Sequence, residues 1–502
     1  MPAQVTTRAQ VNGYRFLIRR LEHALIRADS RMIHDPMRGQ MRSLLVGLVI
    51  AVLVCGAAGI LAFFKPAPSL GDSQIVMSKS SGEMFIRIGD HLHPVLNIAS
   101  ARLIAGRSEN PKPVDDKFLN ALPLGAPVGI VGAPASLAAG ADAGTSAWSV
   151  CDSTQTPAPT DVTATPTVET TVVAGTARLG DDIRAAEPAQ MVLTRASGQT
   201  FLIYDGVRAP IDPTDPVLAN ALRLDGRRLR PMSIGLLNAF PLVDPIVPVT
   251  VDGAGSPTGY LPQQYRVGSI VRTDDSRGEQ LYAVLRDGLQ RISATVADII
   301  RYGDPTSGPT AASTISPALI SAAPAAHALR VDHYPSASPQ LVAAEPDRVV
   351  CMSWQRTRSA AESTSKLLIG QRLPIPPGAQ PVRLASADGN GPGLDGVYLQ
   401  PGTGEYVQAT GAAADSRSAG PLFYISDTGQ RFHVRDPKTA AALGVHGYPA
   451  TPDRRDDQPK PAPWPVLRLL PPGPELAQEA ALIAHDTLGA DPQGQKLVLP
   501  KS

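Results

Sequence analysis

The sequence predicts an α+β chain, with a single N-terminal transmembrane helix followed by an outer region of four small β-hairpin and helix repeats. Three observations predict it. Residues 44–64, "LLVGLVIAVLVCGAAGILAFF", run for 21 positions without a charge or a proline, enough for a helix to cross about 30 Å of hydrocarbon. A glycine, a short apolar strand, a turn, a second strand and a helix-like run recur from Gly82, Gly198, Gly278 and Gly420. Finally, 44 Gly and 49 Pro against 5% aromatic residues describe many turns and short strands, while 43% hydrophobic residues suffice to fill cores.

Residues 1–42 come first, with eight Arg against Glu22, Asp29 and Asp35, so that a chain of net charge +1 is left at about −4 beyond them. Tyr14, Leu17, Ile18, Leu21, Leu25 and Ala28 recur at steps of three and four, with arginines largely on the other side of the wheel. This predicts a basic amphipathic helix, suited to the anionic inner leaflet or to a partner's groove. Asp35-Pro36 is expected to break it before the membrane. Basic residues are not interleaved with aromatics elsewhere, so no nucleic-acid partner is expected.

The span is assigned to residues 43–65. A cleaved signal peptide has a shorter apolar core and a short basic start, whereas 43 residues precede this run. Arg38 and Arg42 before it and only Lys65 after it place residues 1–42 in the cytoplasm and the remainder outside. Cys55 then lies in the membrane, and Cys151 and Cys351 lie in an oxidising compartment where a disulfide between them is expected, the alternative being two unpaired buried thiols. Their surroundings mirror each other, "WSVC" ending at Cys151 and "CMSW" beginning at Cys351, which suggests a Trp beside each half of the bridge. Closing so long a loop stabilises by about 5 kcal/mol in the chain-entropy model.

A linker at 66–81 leads to the first repeat at 82–135. Turns in the four copies are marked by Gly89-Asp90, Asp205-Gly206, Asp287-Gly288 and Asp427-Thr428-Gly429, and helix starts by Asp215-Pro216 and Asp436-Pro437. A second phrase, "FLNALPLGAPVGIV" from Phe118 and "LLNAFPLVDPIVPV" from Leu236, trails the first two copies, with Asn120 and Asn238 at 38 and 40 residues after the leading glycines. Weaker echoes begin at Arg372 and Arg468, so the unit reads as a hairpin, a helix and a closing strand, with the third copy split from its closing strand by the segment carrying Cys351. The remaining divisions are 136–190 as linker and part of a central region, 191–252 as the second repeat, and 253–385 as the third with a central insertion. A central segment at 386–419, the fourth repeat at 420–475 and a tail at 476–502 complete the chain. Ala, Pro, Ser and Thr dominate 154–175 and 304–328, which read as extended crossings or surface loops, and a last short helix is expected after Glu475.

Catalytic signals are sparse. No Gly-Lys pair exists, so a Walker A loop is excluded. "GPGLDG" at 391–396 matches a dinucleotide pattern but runs into the strand-like "VYLQ", and Pro392 suits a turn. His91 and His93 share one face of a strand, yet no Cys, Asp or Glu cluster completes a metal site. No Gly-x-Ser-x-Gly or His-Glu-x-x-His occurs. No catalytic, cofactor or metal residues are assigned.

The N-terminal "TRAQVNGYRFLIRRLEHALIRADSRMIHDPMR", the span, "WSVCD", "CMSW" and "GPGLDGVYLQPGTGEYV", taken in this order, resemble the EccB component of mycobacterial type VII (ESX) secretion systems, most closely the ESX-5 member. The resemblance covers essentially the whole chain. It implies four periplasmic repeats around a central mainly-β domain, elongated in form and tied by a disulfide at Cys151 and Cys351. It further implies a structural role in an inner-membrane complex with EccC, EccD and EccE, six EccB copies, membrane lipid around the span, and a mycosin protease on the outer side. Some members are described as ATPases, so ATP enters by family description alone. A membrane-anchored cell-wall-binding protein is the alternative reading of small repeats outside a membrane.

Overall fold

The computed structural model describes residues 6–28, 31, 36–64, 72–137, 144–155, 166–275, 278–303, 312–357, 360–389, 392–448 and 459–489. It forms two compact units, Met1–Gly71 and Asp72–Ser502. In the first, helix α1 (Arg8–Arg27) leaves Tyr14, Leu17, Leu21 and Leu25 exposed and stops where Ala28 turns left-handed at φ 56°. Helix α2 (Pro36–Phe64) contains the stretch Met41–Leu61, the one described helix long and apolar enough to cross a membrane. Pro36 therefore opens a helix, where its fixed φ fits the first turn.

The second unit is mixed α and β. Its first module contains β1 (Ile75–Ser78), β2 (Met84–Ile88), β3 (His91–Pro94), α3 (Ile98–Ala105), β4 (Lys112–Val114) and α4 (Asp116–Leu119). The expected hairpin is really a three-strand meander, because β1 lies ahead of Gly82 and pairs antiparallel with β2, while β4 returns parallel to β1. The sheet order is β3-β2-β1-β4.

Next come three strands of a larger sheet: β5 (Thr145–Gln155), β6 (Thr167–Ala174) and β7 (Ile183–Ala185). Much of the expected 154–175 crossing is thus strand. The second module follows with β8 (Gln190–Ala196), β9 (Gln199–Tyr204), β10 (Val207–Pro210), α5 (Pro216–Ala221) and α6 (Ile234–Ala239). Asp215 caps α5 from its expected place, accepting from the amides of Val217 and Leu218.

The third module contains β11 (Ile270–Asp275), β12 (Gly278–Val284), β13 (Leu289–Ile292), α7 (Ala294–Gly303), β14 (Ser313–Thr314) and α8 (Pro317–Ala322). It is complete before Cys351 is reached. The strand β15 (Gln340–Leu341) that comes after it pairs with β8, so the third module sits inside the second and the expected central insertion into the third does not occur. The chain then adds β16 (Val349–Thr357), β17 (Thr364–Gly370), β18 (Val382–Arg383) and β19 (Gly396–Tyr398) to the large sheet, whose order is β18-β19-β6-β5-β16-β17-β7. The fourth module closes the chain with β20 (Gly404–Thr410), β21 (Leu422–Ser426), β22 (Arg431–Val434), α9 (Pro437–Leu443), β23 (Lys460–Pro463), α10 (Trp464–Leu467) and α11 (Gln478–Ala481). Asp436 caps α9 through the Thr439 amide at 2.7 Å.

The trailing phrase of each module forms one more parallel edge. The amides of Leu92, Arg208, Leu289 and Arg431 donate to the carbonyls of Pro123, Pro241, Pro324 and Pro471 at 2.8 to 3.0 Å. Each proline has no N–H of its own to leave unpaired at this position, which suits an edge. The third copy is Pro324, not the segment from Arg372. The true segment, "AAPAA" at 322–326, lacks the large apolar residues that would make the match legible.

Packing sets the order of the modules. Met191, Leu202 and Tyr204 share a core with Ile292, Val296 and Ile299, joining the second and third modules. Leu103 and Ile130 meet Tyr424, Phe432 and Leu443, joining the first and fourth. The largest core joins the central strands to the second and fourth modules through Trp148, Trp354, Phe201, Phe423, Leu236 and Val466. The inner sheets are buried on both faces, which is why "TFLIY" and "LFYIS" read as continuous apolar runs.

Candidate functional site

The structural centre is the pair β5 and β16, where the mirrored words meet. The strands are antiparallel in a register that sets Trp148 opposite Trp354 and Cys151 opposite Cys351. A mirrored pair of words is what antiparallel pairing requires if like is to face like. Cys151 and Cys351 are disulfide-bonded, with Cα atoms 4.0 Å apart. Cys151 therefore belongs to the middle of the sheet and not to a linker. The tryptophans are not beside the bridge, because residues three apart on a strand face opposite ways. Trp148 and Trp354, both fully buried, fill the core shared with the inner modules, and the disulfide packs on the other face with Ile183, Val349 and Leu368.

Next to Cys151, Asp152 is buried in the sheet. Its carboxylate accepts from the Ser233 amide at 2.6 Å, the Ser233 hydroxyl at 2.8 Å and the Thr170 hydroxyl at 2.9 Å. Ser233 is the N-cap of α6, so one carboxylate ties β5, β6 and a helix of the second module together. Burial pushes this carboxyl up to about 6 against the pull of those donors and of the Arg230 charge. Arg230, itself buried, donates to the carbonyls of Ala343 at 3.0 Å and Asp347 at 2.6 Å, and burial lowers it to about 10. Sequence reasoning passed over both residues. A charged residue inside an apolar strand, as in "WSVCDS", was the available signal.

The hairpin turns of the inner modules touch the central sheet. Gly206, at φ +77°, leaves no room for a Cβ against the Ser365 carbonyl, and Gly429, at φ +86°, would place one 2.6 Å from Val397. In the first module Gly89, at φ +61°, faces open space. The inner modules also share a side-chain device. Arg208 lies 5.5 Å from the Phe201 ring centroid and Arg431 lies 5.7 Å from that of Phe423, each braced against the element that follows, through Asn238 at 2.7 Å and the Leu470 carbonyl at 3.0 Å.

A strap closes the other seam. After α11 the chain pairs Ala484 with Val128 of the first module, His485 N–H donates to the Pro127 carbonyl at 2.8 Å, and the His485 ring Nε2 lies 2.8 Å from the Gly129 carbonyl. The expected last helix is thus one turn long, and the chain after it makes a single antiparallel bridge to the first module.

The remaining sequence candidates are placed as follows. His91 and His93 lie on β3 with ring centroids 6.4 Å apart, His93 Nδ1 is 2.9 Å from the Ala126 carbonyl, and no group of three or more possible metal ligands occurs among the described residues. In "GPGLDG", buried Asp395 accepts from the amides of Thr170 and Gly389 at 2.7 and 2.8 Å, fixing the turn into β19. Gly391 falls outside the described residues.

One described helix long and apolar enough to cross a membrane, joined in sequence to a body of four repeated modules on a disulfide-tied sheet, defines the class of membrane-anchored scaffold proteins. The family model described as "Type VII secretion system ESX-1, transport TM domain B" matches residues 3–490. The chain belongs to this EccB family of type VII secretion proteins. The ESX-1 secretion system ATPase EccB1 of Mycobacterium tuberculosis is 35% identical, with 99% of this chain and 98% of that protein covered. The ESX-3 counterpart of Mycolicibacterium smegmatis is 36% identical over 98% and 93%, and the ESX-5 counterpart of Mycobacterium marinum 34% over 99% and 97%. Such similar identities give the expected ESX-5 likeness little weight. Among solved structures, a chain of the intact ESX-5 inner membrane complex superposes with a TM-score of 0.67 at 31% identity, covering 99% of both chains. The EccB3 dimer of the ESX-3 core complex gives 0.66 at 32%, covering 82% of this chain and all of that one.

Proposed function

We propose that this chain is a structural subunit of a type VII secretion inner-membrane complex, assembling with EccC, EccD and EccE and with further copies of itself, with a mycosin protease on the outer side. The observation that carries the reading is the end-to-end match, anchor included, to a chain of the intact ESX-5 complex. The modular body supports it, since its cores join module to module into one scaffold. We take the arm 1–42 as cytoplasmic, the helix as embedded in inner-membrane lipid and the body from residue 72 as periplasmic, on the basis of Arg38 and Arg42 before the span. Each module is best counted from its own first strand, at residues 75, 190, 270 and 404. The whole-chain matches to EccB proteins do not favour the cell-wall-binding alternative. Labelling of single cysteines introduced at exposed Arg8 and exposed Glu187 tests the topology. Only the second is reached by an impermeant maleimide in intact cells if the reading holds, and the reverse pattern rejects it.

A further inference from the structure

We propose that the turn 222–229 of the second module is a docking surface for a carboxylate-rich face of a neighbouring protein subunit. Arg223, Arg227 and Arg228 are all exposed there, and Asp225 is the one acid in the turn. None of the three pairs with a carboxylate of the described residues. Arg227 Nε donates instead to the Arg223 carbonyl at 3.3 Å, which keeps the two side by side.

The base beneath them is rigid. Leu222 and Leu224 are buried, Leu224 N–H donates to the Ala219 carbonyl at 2.9 Å and Arg227 N–H to the Leu224 carbonyl at 3.1 Å. Just after the turn, Arg230 is locked inward by Ala343 and Asp347. Three guanidiniums are therefore displayed from a fixed platform, which lowers the ordering cost of binding. Arg223 holds φ at +52°, where glycine or asparagine is less strained, so a charged side chain is kept at a position that disfavours one.

The cluster also opposes the charge of its own body. Residues 1–71 carry nine Lys and Arg against three acids, which leaves −5 on the rest of a +1 chain. A protein partner is favoured over a phosphate-bearing polymer because Leu229, 37% exposed, adjoins Arg228. Arginine beside an apolar contact is the composition of protein interfaces, and the planar guanidinium matches a carboxylate two bonds at a time.

The inference rests on membership of a multisubunit complex, and the experiment separates the two. The full chain is expressed in its own cells and the complex extracted in mild detergent. The R227K/R228K variant keeps the charge and supplies amines for zero-length carbodiimide coupling. Coupling of position 227 or 228 to an Asp or Glu of another chain, found by mass spectrometry, is the expected result. The R223E/R227E/R228E variant is expected to lower the recovered complex about tenfold, the effect of roughly 1.4 kcal/mol, with the melting temperature of the chain unchanged. Full recovery of the triple variant, or coupling confined to one chain, overturns the proposal. So does a triple variant that assembles normally but no longer sediments with phosphatidylglycerol vesicles, since the ligand is then a lipid. If the triple variant melts early, the coupling result decides. A wild-type chain that extracts as a monomer refutes the subunit reading itself.

Discussion

Asp152 gives the sharpest test of how the second module is fixed to the central sheet. Asp152→Ala removes the acceptor of three hydrogen bonds, from the Ser233 amide, the Ser233 hydroxyl and the Thr170 hydroxyl. Bonds to a charged group are worth about 1.5 to 3 kcal/mol each. Burial outweighs those donors, and the net rise of the carboxyl from 3.8 to about 6 means that ionising it costs the folded state about 3 kcal/mol at neutral pH, at 1.36 kcal/mol per unit. Asp152→Ala nevertheless leaves three donors without their acceptor, at about 1 to 3 kcal/mol for each that stays buried and unpaired, and the two hydroxyls can turn elsewhere, so it should destabilise by about 3 to 5 kcal/mol at neutral pH. Asp152→Asn keeps one acceptor and should lose about 1 to 2 kcal/mol. The pH dependence has a definite sign. A raised carboxyl binds its proton more tightly in the folded state, so its contribution is present below about pH 4 and is lost as the pH rises through about 6. The stability of wild type relative to Asp152→Asn should accordingly increase by about 3 kcal/mol between pH 7 and pH 4. Denaturant unfolding across that range, with hydrogen exchange at the amides of α6, reads both quantities. A constant difference between wild type and Asp152→Asn, or α6 amides unaffected in Asp152→Ala, would refute the reasoning.

Further outcomes follow from the same packing. Gly206→Ala should cost more than 3 kcal/mol, since strain at positive φ is compounded by overlap with the Ser365 carbonyl, whereas Gly89→Ala should cost only about 1 kcal/mol; thermal unfolding of the pair gives the ranking. Trp354→Ala, in the fully buried pair of tryptophans, should destabilise by about 3 to 5 kcal/mol in denaturant melts. Non-reducing peptide mapping should recover the Cys151 and Cys351 peptides as one species, and Cys151→Ser/Cys351→Ser should lower stability by about 2 to 5 kcal/mol. Purified protein should show no intrinsic ATP turnover in a phosphate-release assay. Turnover that co-purifies with the monodisperse chain and disappears on a point substitution would assign the activity to it.

Much of the plan was legible because repetition and hydropathy are properties of the sequence. The span, the α5 and α9 caps at Asp215 and Asp436 and the recurring hairpins could be read directly. The first strand of each module was missed since the leading glycine, as at Gly82 and Gly198, marks the turn inside the meander and not its start. The third closing edge was missed because parallel pairing to Pro324 uses backbone atoms, which small side chains do not advertise. Strand periodicity, applied to "WSVC", would already have put Trp148 and Cys151 on opposite faces. Asp152 was marked by its charge inside an apolar strand, but its role was not legible, because its partner Ser233 is 81 residues away and only the fold brings them together.

The central claim, that this chain builds a complex and does not act alone, is tested most directly by the native mass of the detergent-extracted protein. The account predicts a particle containing several copies of this 52.7 kDa chain together with other type VII membrane components. A single species at the monomer mass, under conditions that keep the disulfide and the fold intact, would contradict it.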